Sequence, residues 1–171
     1  LLAVLVFAGS LTAYAFGYDL WGAVAQWSQE FFRFKSDPAE QSQQLLPDNN
    51  HHPALDGLYQ LMDEDGLPGS LLPEYLPESY EPVTTKVIEM SPRTDYFCHL
   101  QSDTGSINVI YSVYPDGNFM TQFEKDPGDP EIYNSNGTTY YIMTNVGRYR
   151  AAWTSGNIEC RISGVASRDE I

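Results

Sequence analysis

The stretch that decides the fold is Arg148 to Ser163, RYRAAWTSGNIECRIS. Apolar and polar residues alternate with period two on either side of a Ser155-Gly156 turn signal, the pattern of two half-buried strands joined by a tight hairpin. With Ser155-Gly156 as a two-residue loop, Trp153 faces Ile158, Ala151 faces Cys160 and Tyr149 faces Ile162 on one apolar face. Arg148, Arg150, Glu159 and Arg161 then share the other. A one-residue slip would exchange the faces, so the need to bury Trp153 and Ile158 fixes which residues point together. Trp153 and Ile158 are therefore expected in the core, and Arg150 and Arg161 in solvent.

Outward from this hairpin the same period runs back to Tyr80. Candidate strands are 81–90, 94–101, 107–114, 119–124, 138–145, 148–154 and 158–163, separated by turn signals at Asp103-Thr104-Gly105, Pro115-Asp116-Gly117 and Asn134 to Gly137. Connections this short predict an antiparallel meander, because parallel strands need long crossovers. Upstream, Pro53 opens a short helix with Leu55, Leu58, Tyr59 and Met62 on its apolar face, and Gly66 closes it. The proline-rich segment LPGSLLPEYLPESYEP then reads as an irregular strap across a core. The expected fold class is α+β: an antiparallel meander of about six to seven strands with N-terminal helices packed on it, preceded by a transmembrane helix. At the C-terminus, Ser167 and Glu170 have the spacing of a capping box, which predicts a further, truncated helix.

The N-terminus has a different character. Residues 1–18, LLAVLVFAGSLTAYAFGY, carry no charge and reach about 27 Å as a helix, close to the ~30 Å hydrocarbon core. They read as part of a transmembrane helix that begins upstream of Leu1, with Tyr14, Phe16, Tyr18 and Trp21 as its aromatic belt. Ala13-Tyr14-Ala15 leaves a cleaved signal peptide as the alternative, and a buried core helix as a third. Residues 19–35 follow as a juxtamembrane amphipathic helix, with Leu20, Val24, Trp27, Phe31 and Phe34 on one stripe, lying on the membrane or packed on its own domain. Residues 36–52 read as an acidic linker, and 53–171 as the extracytoplasmic domain.

The net charge is −14, and from Ser36 to Thr85 there are ten acidic residues with no Lys or Arg. Nucleic acid is excluded as a partner on that ground, since its binding rests on phosphate neutralisation. Cys98 and Cys160 match no zinc spacing and are either a disulfide or two separate buried thiols. No nucleophile elbow, phosphate-binding loop or dinucleotide fingerprint is present, so no catalytic residue, cofactor or metal is expected. His51 and His52 with Asp48 and Asp56 lie in the linker region without fixed geometry. Asp63, Asp65 and Glu74 fail as a calcium loop because Pro68 stands where glycine is needed, and Asp126, Asp129 and Glu131 read as a plain turn. Arg148, Arg150 and Arg161 stand out: three of nine basic residues on one hairpin face, either ordinary surface charges or an anion-contacting patch.

Three runs carry a resemblance: AFGYDLWGAVAQWSQEFFRF (15–34), LLPEYLPESYEP (71–82) and TTYYIMTNVGRYRAAWTSGNIECRISGVASRDE (138–170). They resemble a bacterial domain-of-unknown-function family common in Gram-positive anaerobes. There an extracytoplasmic domain follows a single transmembrane helix, often with a cytoplasmic segment similar to anti-sigma factors. The resemblance implies a C-terminal helix after Ser167 and supplies no catalytic residues. The expectation is a membrane-anchored extracytoplasmic binding or sensing domain of unknown ligand, with a lipid- or lipoprotein-handling module as the alternative.

Overall fold

The computed structural model describes residues 31–35, 51–77, 79–117 and 119–165. Nine strands run through them: β1 (Phe31–Lys35), β2 (Glu81–Met90), β3 (Arg93–Gln101), β4 (Ser106–Val113), β5 (Met120–Glu124), β6 (Glu131–Ser135), β7 (Thr138–Asn145), β8 (Arg148–Ser155) and β9 (Ile158–Val165). One α-helix, α1 (Asp56–Glu64), lies between 3-10 turns at Pro53–Leu55 and Gly69–Leu71. The described residues are mostly antiparallel β-sheet with one short α-helix in place of the several N-terminal helices expected, and the main sheet has seven strands.

The sheet is not one simple meander. Its order is β2-β3-β4-β9-β8-β7-β6, so two runs of hairpins meet where β9 returns beside β4. Between those runs the chain leaves the sheet, and β5 pairs with β1 in a separate two-stranded ribbon. Phe31 to Lys35, expected to end an amphipathic helix, are therefore a strand. In a window of five residues Phe31 and Phe34 have the helical spacing and Phe32 and Phe34 the strand spacing, and a long-range partner, β5, decides between them for these β-favouring aromatics. The remainder of that helix, the apolar run 1–18, linker residues 36–50 and the C-terminal helix lie outside the described residues. Among the described residues no helix is long and apolar enough to cross a membrane.

Turn chemistry sets the hairpin registers. Asn136-Gly137 and Val146-Gly147 have positive φ at both positions (+49° and +80°, +50° and +71°), as type I′ turns require. The last hairpin turns on Gly156-Asn157, with Gly156 at φ +58°. Trp153 thus faces Cys160, Ala151 faces Ile162 and Tyr149 faces Gly164, a shift of two residues from the expected pairing. An even shift leaves every side chain on its expected face, so the apolar face survives with Trp153 and Ile158 both buried.

That face carries the larger core. Tyr96, Cys98 and Leu100 of β3, Ile107, Val109 and Tyr111 of β4, and Ile158, Cys160 and Ile162 of β9 are covered by Leu58 and Met62 of α1 and by Leu71, Leu72 and Leu76 of the strap. Tyr111 Oη donates to the Leu71 carbonyl at 2.7 Å, which pins the strap to the middle of the sheet. Tyr96 Oη donates to Asp65 beyond the end of α1, and Gly66 closes the helix at φ +72°.

The opposite face is covered too, contrary to the expectation of a solvated one. There the ribbon contributes Phe123 and Phe32, and Tyr114, Phe119, Met143 and Ala152 complete a smaller core. Arg150 and Arg161 are consequently not exposed: both are half-buried, stacked on the Phe123 ring at 4.9 and 5.8 Å. Only Arg148 of the three is in solvent.

Candidate functional site

The strap and the sheet do not close on each other along their whole length. Between Ser70–Glu74 and the strands β7, β8 and β9 lies a groove of about 310 Å³, of the size that small-ligand sites occupy. Its floor is Tyr140, Ala151, Trp153 and Ile162, its wall Leu71 and Leu72, and its rim the polar Glu74, Asn136, Thr138 and Ser155. Trp153 is fixed from two sides, edge-on to Tyr111 at 6.3 Å and tilted against Tyr140 at 5.2 Å. Aromatic neighbours in such arrangements add specificity of position to burial. Burial raises the Tyr140 hydroxyl above its usual range, and Tyr111, wholly buried, further still. Both phenols are therefore neutral donors at physiological pH.

On the opposite face sits a buried charged network. Asp95, Ser112 and Glu159 are cross-strand neighbours on β3, β4 and β9. Glu159 is 1% exposed, accepts from Tyr114 Oη at 3.4 Å and from Thr121 Oγ1, and has Arg161 Nη1 at 3.4 Å. Arg93 reaches Asp95 at 2.9 Å and Tyr114 Oη at 3.3 Å. Thr121 belongs to β5, so the Glu159 carboxylate ties the ribbon to the main sheet. A charge this deep is tolerated only when paired and hydrogen-bonded.

The sequence-expected residues fall as follows. Cys98 and Cys160 are free, buried thiols. They stand on β3 and β9 with β4 between, Cys98 opposite Val109 and Cys160 opposite Tyr111. Two strand spacings come to about 10 Å, beyond a disulfide's Cα reach of about 7 Å, so the disulfide alternative falls and the two-thiol alternative stands. Burial pushes both thiols up, and the Thr85 hydroxyl on Cys98 opposes this. His51 Nε2 lies 3.0 Å from Asp56 and its ring stacks on Tyr59, while His52 Nδ1 accepts from the Ala54 amide as a helix cap. Asp48 lies outside the described residues. In the acidic 126–131 loop, Lys125 Nζ donates to the Gly128 carbonyl, which makes the loop a lysine-closed turn. Among the described residues no group of three His, Cys, Asp or Glu could hold a metal ion. The groove was not legible in the sequence: its residues are scattered over the strap, two hairpins and β9, and only the strap's irregularity hinted at a cover. The Glu159 network was hidden by the assumption that its face was solvated.

A seven-stranded antiparallel sheet, covered on one face by a short helix and strap and on the other by a strand ribbon, with a groove at the strap's edge, defines a mostly β domain. The chain belongs to the family described as Domain of unknown function (DUF4367), whose model matches residues 70–171. That span contains the whole groove and the arginine hairpin. No curated protein and no solved structure matches the chain.

Proposed function

We propose that this chain is a membrane-anchored extracytoplasmic binding or sensing domain, and that the groove beneath the strap takes its ligand. The observation that carries the reading is the groove itself: an apolar floor and wall with a polar rim suits one amphipathic molecule bound by its hydrocarbon part. The uncharged run 1–18 supports the anchor, and the family resemblance of the three sequence runs supports a bacterial, anti-sigma-type transmembrane signalling protein with this domain as its receiving end. A lipid- or lipoprotein-handling module is the second reading, favoured by Leu71, Leu72, Trp153 and Ile162 as an acyl-chain surface.

The test uses the full chain in zwitterionic nanodiscs with its tryptophans replaced by 5-fluorotryptophan. Decanoate, an aliphatic chain with a polar end, should shift the fluorine resonance of Trp153 saturably, and Ala151→Phe, which fills the floor, should abolish the shift. A Trp153 resonance indifferent to decanoate would remove the groove as a site for aliphatic ligands and leave the anchor reading standing.

A further inference from the structure

The arginine trio divides in the structure. Arg161 turns to Glu159 and Phe123, whereas Arg148 and Arg150, the latter also stacked on Phe123, line a small pocket of about 80 Å³ with Ser106, Asn108, Asn145 and Ser163. All six side chains are on the ribbon-side face of β4, β7, β8 and β9, where the alternation of each strand puts them. With Tyr149 and Gly164 completing it, the lining holds two guanidinium groups, two amides and two serine hydroxyls and no carboxylate, in a chain with 23 acidic residues. We propose that this pocket is an oxyanion site that binds a phosphate group.

Three observations carry the proposal. Arg148 is exposed and makes no side-chain hydrogen bond or ion pair among the described residues, so its charge is available. Arg150 donates through Nη1 to the Glu124 carbonyl at 3.5 Å, while its buried Nε has no hydrogen-bond partner. Burial first, and then the positive charge of Arg161, hold Arg150 below the ordinary guanidinium range, with Glu124 and Glu159 opposing. A bound anion would relieve both. Asn108 is oriented to assist: its Oδ1 lies 2.8 Å from His99 Nδ1, so the oxygen is engaged by the imidazole N–H and the amide NH2 remains as a donor. Tetrahedral oxyanions are matched by guanidinium forks and short polar donors at this scale.

The phosphate has two sources, free phosphate or a phospholipid headgroup. The second rests on the anchor reading and has geometric support. Phe31, the first residue of β1, lies opposite Glu124, whose carbonyl receives Arg150, so β1 begins next to a pocket residue.

The experiment takes the full chain in phosphatidylcholine nanodiscs and compares it with Arg148→Gln, Arg150→Gln and Lys86→Gln. Lys86→Gln removes one surface charge away from the pocket, where Lys86 stacks on Phe97, and so controls for net charge. Inorganic phosphate is titrated calorimetrically against chloride at equal ionic strength. In a second arm, phosphatidylglycerol replaces part of the phosphatidylcholine, and the melting temperature is read. The expected result is saturable phosphate binding or a phosphatidylglycerol-dependent rise in melting temperature, weakened about tenfold or more in Arg148→Gln, the scale of one lost charge-assisted hydrogen bond, and unchanged in Lys86→Gln. Response to phosphate alone assigns the free ion, and response to phosphatidylglycerol alone assigns the headgroup. The proposal is overturned if neither arm responds, or if Arg148→Gln and Lys86→Gln behave alike. Because Arg148 is exposed, its variant keeps the fold and the outcome does not depend on Arg150→Gln folding.

Discussion

At the scale of single residues the most consequential is Glu159. A carboxylate 1% exposed, held by Tyr114, Thr121 and Arg161, takes its stability from partners rather than from water. Removing one side of such an arrangement leaves a buried donor or charge uncompensated, which is worse than removing both sides. Glu159→Ala should therefore lose about 3 to 5 kcal/mol in urea unfolding. The double variant Glu159→Met with Arg161→Met, which replaces the pair by apolar volume beside Phe123, should lose clearly less than the single one. Equal losses would show that Arg161 does not sense the carboxylate. The residues on this face also mark where sequence reading stops. Alternation told correctly which side chains share a face, and it named Trp153 and Ile158 as core. It could not tell that a ribbon from residues 31–35 and 120–124 covers the charged face, because alternation reports sidedness and is silent about what arrives on each side.

At the scale of elements, the junction of β4 with β9 holds the two runs of hairpins together, and a glycine permits it. A Cβ on Gly164 would stand 2.1 Å from the Ser106 carbonyl oxygen and 3.0 Å from Ile107 Cα. Both neighbours are backbone, so the strands themselves would have to part. Gly164→Ala should cost about 1 to 3 kcal/mol, the range for overpacking, and should weaken amide protection in β4 and β9 before that in β2. Gly66→Ala, with open space around its Cβ, should show no such spread; its cost is the local one of a left-handed conformation at φ +72°. Elements with a local signature were legible in the sequence: the Gly66-closed helix, and strands such as Glu81–Met90 and Thr138–Asn145, whose bounds the structure reproduces. Those decided at long range were not. Neither β1 nor β6 was found, since β1 has its periodicity set by a partner far away in the chain and β6 is an edge strand with exposed Ile132 and Tyr133 and no buried side to alternate with. The order of strands was equally out of reach, because the excursion through β5 lies between two ordinary hairpin runs.

At the scale of the whole molecule the two faces of the sheet differ in what they ionise, and this gives stability a direction in pH. The helix-covered face buries weak acids in their neutral forms: the Tyr111, Tyr140 and Tyr96 hydroxyls and the Cys98 and Cys160 thiols are all raised, desolvation being the first cause in each. In the unfolded chain these groups lose their protons near pH 9 for thiols and pH 10 for phenols. Below those values both states are protonated and the groups favour neither. Above them the unfolded state binds fewer protons than the folded one, so stability falls as pH rises. The ribbon side contributes the opposite sign through Asp126, lowered chiefly by the Val146 amide, whose favourable ionised form is lost as pH falls through its folded value, below 3.8. Asp126 is partly exposed and screened by solvent, so its part is small. The chain should accordingly hold a plateau at neutral pH and lose stability steeply from about pH 9 upward. Urea midpoints measured from about pH 6 to 11 test this. The double variant Cys98→Ala with Cys160→Ala should move the onset of the loss from the thiol range to the phenol range, since the tyrosines remain. A midpoint independent of pH across that range would mean that the sheet's helix-covered face is open to solvent, contrary to a core in which Tyr111 and Cys160 are wholly buried.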